Sequence, residues 1–164
     1  MAIEIKTMET DAEIRGKAYV HWKSWQEAYP GLLDQAYLDR LTLEKCENIA
    51  FSWPENTLVA KDGERVVGFA CYGPYRDGEL PDAGEVYAIY VLADYWDKGV
   101  GRRLMDEALE RLRAYPRAAV WVLKGNERAI AFYRRCGYRP DGREQQVMIG
   151  GPVMEIRMVL TRQA

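Results

Sequence analysis

The chain has 164 residues, enough for one domain that buries roughly two-thirds of its unfolded surface. Its 23 Lys and Arg stand against 25 Asp and Glu, a net charge of −2 that lacks the basic excess of a nucleic-acid surface. No run approaches the ~20 apolar residues of a membrane helix, so a soluble, cytoplasmic protein spanning 1–164 as one domain is expected, with neither nucleic acid nor membrane as a partner.

A short alternating strand opens the chain from Ile3 to Thr7. The pattern Ile14, Ala18, Val20, Trp22, Trp25 and Tyr29 predicts a helix from Asp11 to Ala28, stopped by Pro30-Gly31. A second helical region runs from Asp34 to Ala50 and breaks near Leu41-Thr42. Thr57 to Lys61 and Arg65 to Tyr72 flank Asp62-Gly63-Glu64 and read as a hairpin. Pro74 to Gly84 is a turn-rich loop leading into the apolar run Val86-Tyr87-Ala88-Ile89-Tyr90-Val91-Leu92, a buried strand. A helix from Gly99 to Ala114, a strand from Ala119 to Leu123 and a helix from Glu127 to Cys136 follow. Gly142 to Gly151 reads as a mobile connection to a last strand, Pro152 to Leu160. This order predicts an α+β fold with a mixed, mostly antiparallel central sheet flanked by helices.

The most informative stretch is Trp96-Asp97-Lys98-Gly99-Val100-Gly101-Arg102 between the buried strand and the helix. Strand, glycine loop and helix make an anion site, because the first N–H groups of a helix lack internal partners and the helix dipole adds positive potential. A tight turn that binds nothing explains a bare GxG equally well. The loop is not GxxxxGK[ST], and Gly99-Val100-Gly101 lacks the third glycine of a dinucleotide fingerprint.

The loop resembles the acetyl-coenzyme A signature of the GCN5-related N-acetyltransferases (GNAT), [Q/R]xxGx[G/A], with Gly99 and Gly101 at its small positions and Trp96 where that family carries Gln or Arg. A second block, Trp121 to Tyr138, is similar to the same family's next segment: a strand, then Asn126, then a short helix ending Phe132-Tyr133…Gly137-Tyr138. Asn126 as N-cap and Gly137 as C′ residue also fit any capped helix. Both blocks in order are what carry the resemblance.

The resemblance implies the acyltransferase fold of that family, with acetyl-coenzyme A as co-substrate. It implies that Tyr90 and Val91 hold the pantetheine by their backbone amides, and that Trp96, Asp97, Lys98, Gly99, Val100, Gly101, Arg102 and Asn126 belong to the coenzyme site. Tyr133 matches the family's general acid and Glu85 the base of one branch; the alternatives are a core aromatic and a strand-end carboxylate in water. Trp121 occupies the position of the base in another branch, which closes that route. Trp25, Tyr29 and Tyr87 are expected to line the acceptor pocket, where His21 is a further possible base. Cys46, Cys71 and Cys136 form no CxxC pair, and with a single histidine they make no zinc set, so no metal is expected. A nucleophilic role for Cys136 is not favoured, because no histidine lies near it in sequence.

The expected function is acetyl transfer to a primary amine of a small molecule or a peptide or protein, by a monomer or homodimer. The alternative is a catalytically silent coenzyme A-binding or sensing module of the same fold, motivated by Trp96.

Overall fold

Apolar residues alternate in the strands and recur every three or four positions in the helices, and the chain folds accordingly. The computed structural model describes residues 2–162. Its first half runs β1 Ile3–Thr7, α1 Asp11–Ala28, α2 Gln35–Arg40, α3 Leu43–Ser52, β2 Thr57–Asp62 and β3 Arg65–Pro74. The second half runs β4 Ala83–Val91, α4 Val100–Arg111, β5 Arg117–Leu123, α5 Glu127–Arg135, β6 Arg139–Met148 and β7 Pro152–Thr161. One seven-stranded sheet takes the order β1-β2-β3-β4-β5-β7-β6, antiparallel everywhere except between β4 and β5. Among the described residues no helix is long and apolar enough to cross a membrane.

The connection expected at Gly142 to Gly151 is mostly strand: β6 pairs with β7 from Arg139↔Val159 to Met148↔Pro152. Its sequence hides this because β6 is a sheet edge whose residues are largely exposed, so it carries charged side chains in place of an apolar face. The reversal itself is confined to Ile149-Gly150-Gly151, where Ile149 N–H donates to Gly151 C=O at 2.9 Å.

The parallel pair is short. Ala83↔Arg117, Gly84↔Ala118 and Glu85↔Ala119 are in register, and beyond them the strands separate. On its other side β4 stays with β3, but the register shifts between Cys71↔Ala88 and Tyr72↔Val86, leaving Tyr87 as an extra residue. A bulge bends its strand and sharpens the twist. It stands two residues after the last β4–β5 pair, where β4 turns away. Gly73 makes room for it: a Cβ there would lie 2.5 Å from the Tyr87 hydroxyl, which donates to the Pro74 carbonyl.

α1 begins with a capping box: Thr10 Oγ1 accepts from Glu13 N–H, and Glu13 Oε1 accepts from Thr10 N–H. Glu13 is also buried, and Lys6 (2.7 Å) and Lys61 (3.2 Å) bring charges from β1 and β2. Burial pushes this carboxyl up, but the Lys6 contact, two backbone N–H groups and Lys61 outweigh it and hold it at about 2, below its ordinary 4.5. A carboxyl depressed on folding stabilises the protein above its unfolded pKa and loses that contribution as pH falls through the folded one. The chain should therefore lose stability as pH falls from about 4.5 towards about 2. In urea titrations Glu13→Gln should be less stable at neutral pH and lose less across that window; equal slopes for the two proteins would remove Glu13 as the cause.

Candidate active site

Beyond β4, Leu92 N–H donates to Val67 C=O of β3 at 2.9 Å. Strand alternation then turns the backbone of Tyr90 towards β3 and that of Val91 towards the gap left by β5. A single 3₁₀ turn, Ala93–Tyr95, follows, and Glu27 of α1 anchors it by accepting from Ala93 N–H at 3.0 Å. Asp97 and Gly99 both have positive φ (61° and 82°), which swings the chain into α4. The first helical hydrogen bond there runs from Arg103 N–H to Gly99 C=O (3.1 Å). The N–H groups of Val100, Gly101 and Arg102 have no partner among the described residues, so three donors and the positive end of a twelve-residue helix converge beside the gap.

The two glycines do different work. A Cβ at Gly99 would meet nothing within 4 Å, so this residue is glycine for its backbone conformation. A Cβ at Gly101 would stand 3.2 and 3.4 Å from the Phe132 ring, so Gly101 lets α4 approach α5. The missing side chain of Gly101 faces a helix and not the mouth of the loop. Its N–H remains free for a ligand.

Trp96 is built into the framework. Its indole N–H donates to Val91 C=O at 2.8 Å, and the Arg128 guanidinium lies 3.5 Å over its ring. A cation from the first turn of α5 thus arrives where the loop's first side chain stands. Lys98 sits over the Tyr95 ring at 5.5 Å. The Arg102 side chain is committed to Asp106 (3.0 Å) and the Arg135 carbonyl (3.2 Å), leaving its backbone N–H for a ligand. Asn126 caps α5, its Oδ1 accepting from Ala129 N–H at 3.2 Å.

Three tyrosines gather near the separated strands. Tyr29 and Tyr90 share a hydrogen bond of 2.8 Å, and Trp25 lies edge-on to Tyr29 at 5.1 Å. Tyr133 is buried on α5 against Phe132 and Tyr138 (5.5 and 5.8 Å between ring centroids). Burial pushes all three phenols above their ordinary values; nearby Tyr90 and the Glu155 charge add to this at Tyr133. Tyr133 therefore stays protonated throughout the physiological range.

Between α1, the end of α3 and the sheet lies a cavity of about 720 Å³, bordered by Lys17, His21, Trp25, Phe69, Tyr87 and Tyr90. Trp25 and Tyr87 border this cavity, whereas Tyr29 does not and is hydrogen-bonded through its hydroxyl to that of Tyr90. Burial, and then the charge of Lys17, lower His21 to about 4, so its imidazole is neutral near pH 7. Burial raises the thiols of Cys136 and of Cys46, the latter to about 11, which leaves both as inert thiols.

Glu85 is not a carboxylate in open water. It is 1% exposed, and Arg76 holds it with a 2.7 Å contact to Oε2 and a second, at 3.3 Å, from Nε to Oε1. Arg76 in turn stacks on Tyr87 at 4.4 Å. Glu85, Arg76, Trp121, Gln145 and Glu155 line a smaller opening of about 330 Å³, and Arg76 borders both this opening and the larger cavity. Lys17, Arg76 and Glu155, which border these openings, and Arg128, which stacks on Trp96, were not singled out by sequence reasoning.

The sequence pattern described as the Acetyltransferase (GNAT) family matches residues 18–138. The N-acetyltransferase YuaI of Bacillus subtilis is 33% identical over 136 residues, covering 79% of this chain and 75% of YuaI. The [ribosomal protein bS18]-alanine N-acetyltransferase of Escherichia coli is 27% identical over 126 residues, covering 63% of this chain and 83% of that enzyme. The PaiA N-acetyltransferase of Thermoplasma acidophilum, solved with coenzyme A, shares the fold at a TM-score of 0.72 and 19% identity, over 99% of this chain and all (100%) of that one. A glycine loop at a helix start, beside a strand whose edge is open, is thus found in a chain that belongs to the GNAT family of acetyltransferases.

Proposed function

We propose that this N-acetyltransferase moves the acetyl group of acetyl-coenzyme A directly onto a primary amine seated in the larger cavity. The observation that supports this most is the open edge of β4 at Val91, placed beside the unbonded N–H groups of Val100, Gly101 and Arg102. The Val100–Arg102 donors and the Arg128 guanidinium suit the pyrophosphate, and the Val91 N–H suits the amide of the pantetheine arm. Acetyl-coenzyme A supplies an acetyl thioester; the chain's residues supply its orientation and the proton transfers.

Tyr133 is assigned as the general acid that protonates the departing thiolate. Burial makes the phenol a weaker acid, but the same dry surroundings raise the proton affinity of a thiolate, so the transfer stays near balance. Tyr90, held by Tyr29, positions the reacting end of the cavity. The amine's proton leaves through water in the smaller opening, towards the Glu85 carboxylate, which Arg76 holds in place. Arg128 also bears on the silent-module reading: it brings positive charge to the place where Trp96 replaces Gln or Arg. Thiol release with any member of an amine panel excludes the silent module; tight coenzyme A binding without release supports it.

Three variants probe these roles. Gly99→Asp sets a carboxylate where the pyrophosphate should lie but strains a backbone held at φ 82°, so it should melt below wild type, and well below that transition its calorimetric affinity for coenzyme A should fall by about tenfold or more. Unchanged affinity would remove the loop from the coenzyme site. Tyr133→Phe should lower kcat by about 10²–10⁴-fold with little change in coenzyme A affinity; a rate within a few-fold of wild type would make Tyr133 a packing residue. Glu85→Gln should reduce the rate most at low pH, where free amine is scarce. A pH–rate profile superimposable on that of wild type would instead direct attention to Glu155, on the same opening.

A further inference from the structure

The larger cavity contains a charge that neither the fold nor the transfer of an acetyl group uses. Lys17 is 5% exposed, and among the described residues its ammonium has no ion pair and no hydrogen bond; it lies 4.8 Å from the centre of the Phe69 ring. The other buried charges are answered: Glu13 by Lys6 and Lys61, Arg157 by Asp141, Glu85 by Arg76. The Lys17 stem is buried and its ammonium opens on the cavity, where His21 Nδ1 and Trp25 Nε1 are also buried without a partner, so the polar groups of this cavity are arranged for a partner that arrives from outside.

The other polar groups around the cavity narrow what that partner is. His21 is neutral. Arg76 is spent on Glu85, and Glu55 is exposed at the rim. Lys17 is thus the one uncommitted charge in the cavity's interior among the described residues, and it repels the ammonium of an incoming acceptor. The amine is then directed away from Lys17, towards Tyr90, whose ring neighbours that of Phe69 at 5.6 Å and whose strand runs beside the gap between β4 and β5. Beside Lys17 the wall is the Phe69 ring, and His21 and Trp25 follow along the same face of α1.

We propose that the acceptor carries its own carboxylate: it is an amino acid, or an amine of similar size with an acid group, whose carboxylate pairs with Lys17 while its amine faces Tyr90. This rests on the acetyl-transfer reading and names its substrate class, in place of the N-terminus of a protein.

The test pairs the L-amino acids with their decarboxylated amines (phenylalanine with phenethylamine, leucine with isoamylamine) and measures thiol release from acetyl-coenzyme A. In parallel, the same compounds are titrated calorimetrically into the enzyme–coenzyme A complex, a readout that needs no turnover. The best amino acid should exceed its decarboxylated partner by about tenfold or more in kcat/KM and in affinity. Lys17→Met, which replaces a buried charge by an apolar stem of similar length, should reduce that ratio to near one, and Lys17→Arg should retain most of it. Thermal melting establishes that each variant is folded, and Lys17→Gln serves if the Met variant is not. Decarboxylated amines as the better partners, or a ratio unchanged in Lys17→Met, would overturn the proposal. Should amino acids bind in a Lys17-dependent way with no thiol release from any amine, the carboxylate site stands and acetyl transfer falls; thiol release from decarboxylated amines alone gives the converse.

Discussion

The separation of β4 from β5 after Glu85↔Ala119 is the constraint on which the rest of the molecule depends. A parallel pair that continued would satisfy the edge of β4 and close the sheet. The extra residue Tyr87 bends β4 away, and Gly73 supplies the space that the Tyr87 ring needs. What remains is an open strand edge inside a folded domain, an arrangement that proteins otherwise avoid because unpaired N–H and C=O groups recruit a partner strand. Here the opening is bounded by α4 and α5, so what it recruits is narrow, extended and able to pair like a strand.

The supporting structure keeps that opening in shape. Glu27 ties α1 to the turn after β4, and Trp96 ties the loop back to the Val91 carbonyl. Gly101 lets α4 and α5 pack closely, with Phe132 between them. The fold commits its buried charges in pairs and leaves Lys17 unanswered, so its uncompensated potential is concentrated in the cavity. Three phenols, Tyr133 buried and Tyr29 and Tyr90 half-buried, stand near the opening, where low polarity strengthens every dipole and weakens every acid.

Much of this was legible in the chain. The glycine loop, the Asn126 cap, the Gly137 stop and the Asp62-Gly63-Glu64 hairpin are local signals, set by backbone conformation and unfilled hydrogen bonds. They correspond to elements the structure forms. Other features depend on what a residue meets across the fold. β6 carries no apolar alternation because it lies at the sheet edge. For Glu85 the sequence left a base and a strand-end carboxylate in water both open; Arg76, nine residues earlier, is brought onto it by the turn-rich loop. The spacing of Lys17, His21, Trp25 and Tyr29, every fourth residue, marks one face of a helix in the sequence itself. That this face covers a cavity, and that no carboxylate answers Lys17, follows from tertiary packing alone.

The central claim is that the open edge of β4 receives the pantetheine arm at Val91. Amide hydrogen exchange resolved to single residues, with and without acetyl-coenzyme A, tests it directly. Tyr90 N–H, already engaged with β3, should exchange slowly in both states, and Val91 N–H should slow by about tenfold or more when the coenzyme binds. Saturating coenzyme that leaves Val91 exchange unchanged would contradict the account.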